Sequence, residues 1–266
     1  MLPIQVRDVR VRFEGVPRHW FAGHAAATHL SNALNMLFPA GERFFIRSVR
    51  YYADRFDDPA IQEQMRQFFG QEGSHAREHQ RFFEVLEAQG FEVERFLGAY
   101  ERFSLGIEKL MPPALRLATT AAAEHFTASL ADNALRSSVF EEIHPAMREL
   151  LLWHAAEEIE HKAVAYDVLQ AVNSSRALRA AGLATATTLL VTWWMIAFVM
   201  FAKQDGMTVR EAFASLRDAD VEGRHEAPQT VMRRALKEYL APDFHPWNHD
   251  NSDLASRFLK SMPSAA

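Results

Sequence analysis

From about Thr28 to Val172 the apolar positions recur at alternating steps of three and four, a helical period, and glycine and proline fall mainly at its breaks. Four long helices follow from this pattern. The first is expected from near Leu30 to Asp54, with a kink at Pro39-Ala40-Gly41. The second opens at Asp58-Pro59, a capping residue followed by proline in the first turn, and stops at Gly90. A shorter helical stretch over 91–110 crosses to a third helix, which begins at Pro112-Pro113 and runs to about Ser138; the fourth begins at Pro145 and fades at Asn173-Ser174-Ser175. The order is helix pair, crossover, helix pair, which predicts an all-α four-helix bundle. Ahead of it, residues 4–14 alternate apolar and charged side chains imperfectly, and at most a short edge strand or an extended arm is expected there.

Polar residues interrupt the buried stripes at regular places. In the second helix Ile61, Met65, Phe68, Glu72, His75, His79, Phe82 and Leu86 follow one unbroken three-four track. The fourth helix repeats it with Met147, Leu151, His154, Glu158, His161, Ala165 and Val168. Glu42 lies between Phe38 and Phe45 on the stripe of the first helix, and Glu124 lies among Leu117, Ala121, Ala128, Ala131 and Leu135 on that of the third. Helical rise puts these glutamates level. Glu42 and Glu72 sit roughly 18 to 21 Å from their shared turn, and Glu124 and Glu158 each about 21 Å from theirs, at 1.5 Å per residue. Four carboxylates with two or three imidazoles on inward faces cannot stay ionised in a dry core without cations, and two divalent ions would neutralise them.

The bare Glu-x-x-His motif is weak. With 22 Glu and 12 His, about one instance is expected by chance and the chain has four, so context has to select among them. Glu141-x-x-His144 straddles the loop before Pro145, and Glu222-x-x-His225 contains Gly223 in a polar stretch; both read as surface. His79, one turn beyond His75, reads as structural or as an outer partner of the centre. His125 points about 100 degrees away from Glu124 around the helix and is expected at the surface. The small residues Ala121, Ala122, Ala123, Thr127, Ala128 and Ala131 around Glu124 leave room for a slim substrate, although helix propensity explains the alanines as well.

Composition narrows the chemistry further. There is no cysteine, which excludes thiolate metal sites, iron-sulfur clusters and cysteine nucleophiles. Oxygen and nitrogen donors without sulfur suit iron or manganese, and zinc also binds them. A net charge of −5 with scattered Lys and Arg gives no basic stripe, so nucleic acid is not an expected partner. The N-terminus has no basic region followed by an apolar run, and a cytoplasmic catalytic part is expected.

One Glu from each of two helices with Glu-x-x-His from each of the other two is the ligand pattern of di-iron and di-manganese carboxylate bundles. Over roughly residues 30–172 the chain thus resembles the ferritin-like superfamily. The resemblance implies that Glu42, Glu72 and His75 hold one ion and Glu124, Glu158 and His161 the other, with two of the glutamates bridging. His154-x-x-x-Glu158-x-x-His161 adds a third imidazole one turn earlier and resembles the extra histidine ligand of the di-iron arylamine N-oxygenases. His154 therefore either ligates the second ion or donates from beside it. The whole chain, including the closing run Phe244-His245-Pro246-Trp247-Asn248-His249-Asp250-Asn251, also resembles a bacterial family labelled predicted metal-dependent hydrolase.

These resemblances imply a non-haem, oxygen-dependent oxidoreductase with two divalent ions, iron first and manganese or zinc as alternatives. It would act on a small, apolar molecule with electrons from a separate reductase. A binuclear hydrolase is the alternative, in which two metals activate a water and polarise a carbonyl or phosphoryl oxygen. A ferroxidase-type iron protein is third.

Downstream, residues 180–202 carry no charge and are flanked by Arg176, Arg179 and Lys203. That is long enough to span a bilayer with the bundle on the cytoplasmic side of an inner membrane. Trp193-Trp194 inside the run and Thr185, Thr187, Thr188 and Thr192 fit a buried fifth helix or a homodimer-forming helix equally well. The tail holds two amphipathic helices near Thr208–Leu216 and Pro228–Leu240, then a proline-broken loop in which His245, His249 and Asp250 read as turn residues. The division is an arm over 1–27, the bundle over 28–175, the hydrophobic helix over 176–203 and a helical tail over 204–266.

Overall fold

The computed structural model describes residues 4–218 and 226–262, and among them every regular element is helical. In chain order these are α1 (Ala25–Asn35), α2 (Phe38–Arg50), α3 (Pro59–Ala88), α4 (Glu94–Leu110), α5 (Pro113–Arg136), α6 (Pro145–His161), α7 (Val164–Val172), α8 (Arg176–Gln204), α9 (Val209–Asp218), α10 (Pro228–Tyr239) and α11 (Ser252–Ser261). Local chemistry sets several of these bounds. The Asp58 carboxylate accepts from Ala60 N at 2.8 Å and caps α3, with Pro59 in the first turn where a missing N–H costs nothing. Gly90 takes φ +85° just past the end of α3, a conformation that side chains resist.

The structure differs from the sequence expectation in three places. The single first helix is two: the chain breaks at Met36-Leu37, and Pro39 falls in the first turn of α2 instead of at a kink. The fourth helix also divides, at Lys162-Ala163, one residue past His161. There Lys162 Nζ donates to the His249 carbonyl and to Asn251 Oδ1, both at 2.7 Å, and lies over the Trp247 ring. Of the two expectations for the arm, its described residues follow the extended one: they form no strand and run along α3, where Val11 N donates to Glu78 Oε2 at 3.2 Å. The closing loop is followed by α11, an amphipathic helix that packs on α6 and α5. The motif Glu222-x-x-His225 lies outside the described residues.

α2 packs on α3, α3 on α6, α6 on α5, and α5 on α2, which closes a four-helix bundle, while α4 crosses and rests on α2. Two apolar clusters meet around this ring, one centred on Trp20, Phe82 and Trp153, the other on Phe68, Leu117 and Phe126. α8 lies against α5 and α1. Glycine at 182 permits the first contact, since a Cβ there would meet the Ala118 carbonyl carbon and oxygen at 2.4 Å. Among the described residues α8 is the one helix long and apolar enough to cross a membrane, with a mean hydropathy of 1.8. Leu183, Ala186, Trp194, Phe198 and Phe201 are packed as core, whereas Val191 and Ile196 are exposed. Trp194 Nε1 donates to the Leu30 carbonyl at 2.8 Å, a packing role for one of the two central tryptophans.

Candidate metal centre

All seven residues singled out by spacing converge at the middle of the bundle. Glu42 comes from α2, Glu72 and His75 from α3, Glu124 from α5, and His154, Glu158 and His161 from α6, and none is more than 4% exposed. Their donor atoms form overlapping groups within 4.8 Å: Glu42 with Glu72 and His75, Glu72 with Glu124 and His161, and His75 with His154 and Glu158. Glu72 belongs to two of these groups. Glu158 is central as well, with Oε1 at 2.9 Å from His154 Nε2, 3.4 Å from His161 Nε2 and 3.8 Å from His75 Nδ1. Glu42, Glu72 and His75, one of the two sets implied by resemblance, thus lie together, whereas Glu158 faces all three histidines instead of His161 alone.

Whether cations fit can be judged from the atoms left without partners. Both oxygens of Glu42, Glu72 and Glu124, with His75 Nδ1 and His161 Nε2, are buried and make no hydrogen bond. Orphaned acceptors so concentrated would cost several kcal/mol or more in total, because each buried polar group left unpaired costs about 1–3 kcal/mol. Divalent ions among them remove the penalty, and the donor set of carboxylate oxygen and imidazole nitrogen suits iron, manganese or zinc.

Hydrogen bonds on the far side of each ring fix which nitrogen is bare. Gln71 Nε2 donates to Glu160 Oε2 at 2.7 Å, so its Oε1 accepts from His161 Nδ1 at 2.9 Å and leaves His161 Nε2 for the centre. His75 Nε2 donates to Glu157 Oε2 at 2.9 Å, which leaves Nδ1. The third ring is set by a longer chain. Asn35 Nδ2 donates to the Ser31 carbonyl, so Asn35 Oδ1 accepts from His79 Nδ1; His79 Nε2 then accepts from His154 Nδ1, each step at 2.7 Å. A neutral His154 thus turns a bare Nε2 toward Glu158 Oε1 and, at 3.7 Å, Glu42 Oε1. A lone pair facing carboxylates repels them, so a cation or a proton must lie between. His79 is the outer partner of His154.

Electrostatics agree with this picture. Burial, and then the Glu158 carboxylate, pushes Glu42 well up; burial and then Glu124 do the same to Glu72, and burial raises Glu124. Burial opposes ionisation of Glu158 too, yet His161 and His154 hold its carboxyl well below the usual range. Burial would lower His161, but Glu158 and Glu124 lift it to about 10. His75 and His79 are pushed well down by burial and then by His154. Without cations, protons neutralise the cluster.

Beside the centre lies a cavity of about 1030 Å³ between α8 and the bundle, whose walls include Glu42, His154 and Glu158. Its lining is mostly apolar: Phe38, Phe45, Leu130 and Leu190 contribute, and Trp193 gathers Phe96, Tyr100 and Phe103 of α4 around it with ring centroids 5.1 to 5.7 Å apart. Ala123, Thr127 and Ala131 of the small-residue run reach the cavity, whereas Ala121, Ala122 and Ala128 are buried. The Thr127 hydroxyl donates to Glu158 Oε2. Burial, and then Glu42, pushes the Tyr100 phenol up, so it stays protonated.

Several participants were not singled out by spacing. Glu157, Glu160 and Gln71 hold histidines or each other, and Arg7 on the arm binds both glutamates. The signal for the first two was present, since the run Glu157-Glu158-Ile159-Glu160-His161 belongs to a helix whose other faces carry Leu150, Leu152, Trp153, Ala155 and Ala156, all buried. His125 is a correction: it is buried, its Nε2 donates to the Ala235 carbonyl at 3.0 Å, and burial lowers it to about 4, because α10 and the loop at Phe244 cover the face of α5 that seemed free. His144 is half-buried and Glu141 exposed, away from the centre. His19, His29 and Asp205 also gather, but Arg18 Nε donates to Asp205 Oδ1 at 2.7 Å, so a guanidinium already neutralises that carboxylate.

The family described as predicted metal-dependent hydrolase matches residues 5–250, nearly the whole chain. The chain belongs to this family. No curated protein and no solved structure matches it. For a member of the predicted metal-dependent hydrolases, the buried carboxylate and histidine groups suit divalent metal binding. The matched span takes in the arm at Arg7, all seven centre residues and the loop at Phe244.

Proposed function

We propose that this chain is a metal-dependent enzyme with two divalent ions between α2, α3, α5 and α6, acting on an apolar small molecule lodged in the cavity beside them. The observation that carries this reading is the convergence of unpartnered, buried carboxylate oxygens and imidazole nitrogens at a point that also walls an apolar cavity. Glu42, Glu72 and His75 would hold one ion and Glu124, Glu158 and His161 the other. His154 would serve as a third imidazole ligand or as a donor beside the second ion, with iron the first metal to test and manganese and zinc after it.

Hydrolysis is the reaction class that the family supports. When bound, two such ions lower the pKa of a shared water and polarise a carbonyl or phosphoryl oxygen. The chain's own groups do the remaining work. Phe38, Phe45, Leu190 and Trp193 bind the apolar part of the substrate and exclude bulk water. Glu157, Gln71 and His79 hold the three imidazoles in one tautomer, and Tyr100 offers a neutral hydroxyl to a leaving group. Oxygen-dependent oxidation is the second reading, favoured by one observation: the centre is built on helices, buried and rich in carboxylates, instead of on loops around an open cleft. It would need electrons from a separate reductase.

One experiment separates them. The protein is loaded anaerobically with Fe²⁺, Mn²⁺ or Zn²⁺ and given acyl esters of increasing chain length, with and without oxygen and reductant. Ester cleavage that proceeds without oxygen supports hydrolysis; oxygen uptake that needs iron and reductant supports oxidation. A chain that takes up none of the three metals sinks both.

A further inference from the structure

One side chain ties the N-terminal arm to both ends of the centre. Arg7 Nη1 donates to Glu157 Oε1 at 2.9 Å and to Glu160 Oε2 at 2.8 Å, and Nη2 donates to Glu160 Oε1 at 2.8 Å. From Glu157 the chain of bonds continues to His75, and from Glu160 through Gln71 to His161. A single planar guanidinium therefore sits at the root of two branches, each ending in an imidazole whose other nitrogen is bare and faces the carboxylates. The fork geometry matters, because its two planar amino groups pair with both oxygens of Glu160 while one of them also reaches Glu157, a parallel match that an ammonium does not offer.

The arm is built to deliver this residue. Gly70 of α3 lets it approach, since a Cβ there would stand 2.3 Å from Val6 Cγ2. Val6 N donates to Gln67 Oε1 at 3.1 Å, and the Gln5 carbonyl accepts from both Gln71 Nε2 and Arg7 Nη1. Gln71 is thus shared between the arm and His161.

We propose that Arg7 is a positioning residue of the metal centre, which sets the orientation of His75 and His161 together through Glu157 and Glu160. This rests on the two-ion reading above. The arm is then a strap that completes the centre from outside the bundle, and one residue of it tunes both imidazoles at once.

The full chain is titrated with Co²⁺, whose visible absorption reports ligand geometry, and the affinity is read by competition with a chromophoric chelator. Arg7→Ala is expected to weaken binding by up to about tenfold, the lower end of what loss of a histidine's direct partner causes, since Glu157 and Gln71 remain, and to alter the absorption bands. Arg7→Lys should restore only part of the affinity, and added methylguanidinium should move Arg7→Ala back toward the wild-type spectrum. A residue that only held the arm in place would lower the melting temperature of the metal-free chain and leave spectrum and affinity alone; that result overturns the proposal. Should Arg7→Ala fail to fold, Gly70→Val provides the second route, displacing the arm at Val6 with Arg7 intact; wild-type affinity and spectrum in that variant would overturn it as well. A wild-type chain that takes up no Co²⁺ overturns both this inference and the two-ion reading, whereas wild type and Arg7→Ala binding alike overturns this inference alone.

Discussion

At His161 burial and charge act in opposite directions. Burial would lower its pKa, while Glu158 and Glu124 lift it to about 10, so the metal-free chain keeps a proton where a cation belongs. Burial likewise raises Glu42, Glu72 and Glu124, so these carboxyls hold protons further up the pH scale than free ones do. A divalent ion has to expel those protons. Metal affinity should therefore rise with pH through the neutral range, by about tenfold per pH unit for each proton released, and calorimetry in buffers of different ionisation heat should detect the release. Affinity independent of pH would contradict the placement of ions among these groups. Stability of the metal-free chain runs the other way. A carboxyl whose folded pKa is raised contributes stability below its unfolded value, about 4.3, and that contribution is lost as pH rises through the folded value. Glu124→Gln keeps the shape and removes the charge, so the metal-free variant should melt no lower than wild type near neutral pH. Its gain on adding metal, about 2.7 kcal/mol at a hundredfold excess over Kd for wild type, should largely vanish in a thermal melt with and without metal.

Between elements, the approach of α8 to α5 depends on a missing methyl group. Gly182→Ala would ordinarily favour the helix by about 1 kcal/mol. Here the added Cβ meets backbone atoms of Ala118 that cannot rotate away, and overpacking of that kind costs about 1–3 kcal/mol. Net destabilisation of up to about 2 kcal/mol by chemical denaturation is the expected outcome, and a gain in stability would show that the helices are not held so close. No rule of spacing reveals that contact, and the contrast marks what was legible in the sequence. The stripes through Glu72 and Glu158 were readable because a helical face needs only local periodicity, and levelling the four glutamates needs only the rise per residue. The breaks at Met36-Leu37 and Lys162-Ala163 were not, since the second coincides with capture of Lys162 by a loop more than eighty residues away. His125 seemed exposed because periodicity says which way a side chain points and nothing about what later covers it; α10 does. Arg7 carried no signal at all, being one basic residue in an arm that forms no regular element.

At the scale of the molecule, all four bundle helices contribute acids or imidazoles to the centre and the arm reaches it through Arg7, and without a cation only protons balance those acids. Removing metal should therefore loosen the bundle from its middle while its rim stays as it was. Amide hydrogen exchange with and without a bound divalent ion tests this. Added metal should slow exchange in α2, α3, α5 and α6 around Glu42, Glu72, Glu124 and Glu158, because closing the cluster raises the cost of opening the helices that contribute to it. Protection should extend to residues 5–8, since Arg7 reaches the same histidines through Glu157 and Glu160. α11, whose contacts are apolar and made on the outer faces of α6 and α5, should change little. Uniform slowing over every helix would mean that metal acts only on global unfolding. Slowing confined to one pair, α2 with α3 or α5 with α6, would mean that the bundle closes around half a centre, against the shared position of Glu72 and Glu158 between the two.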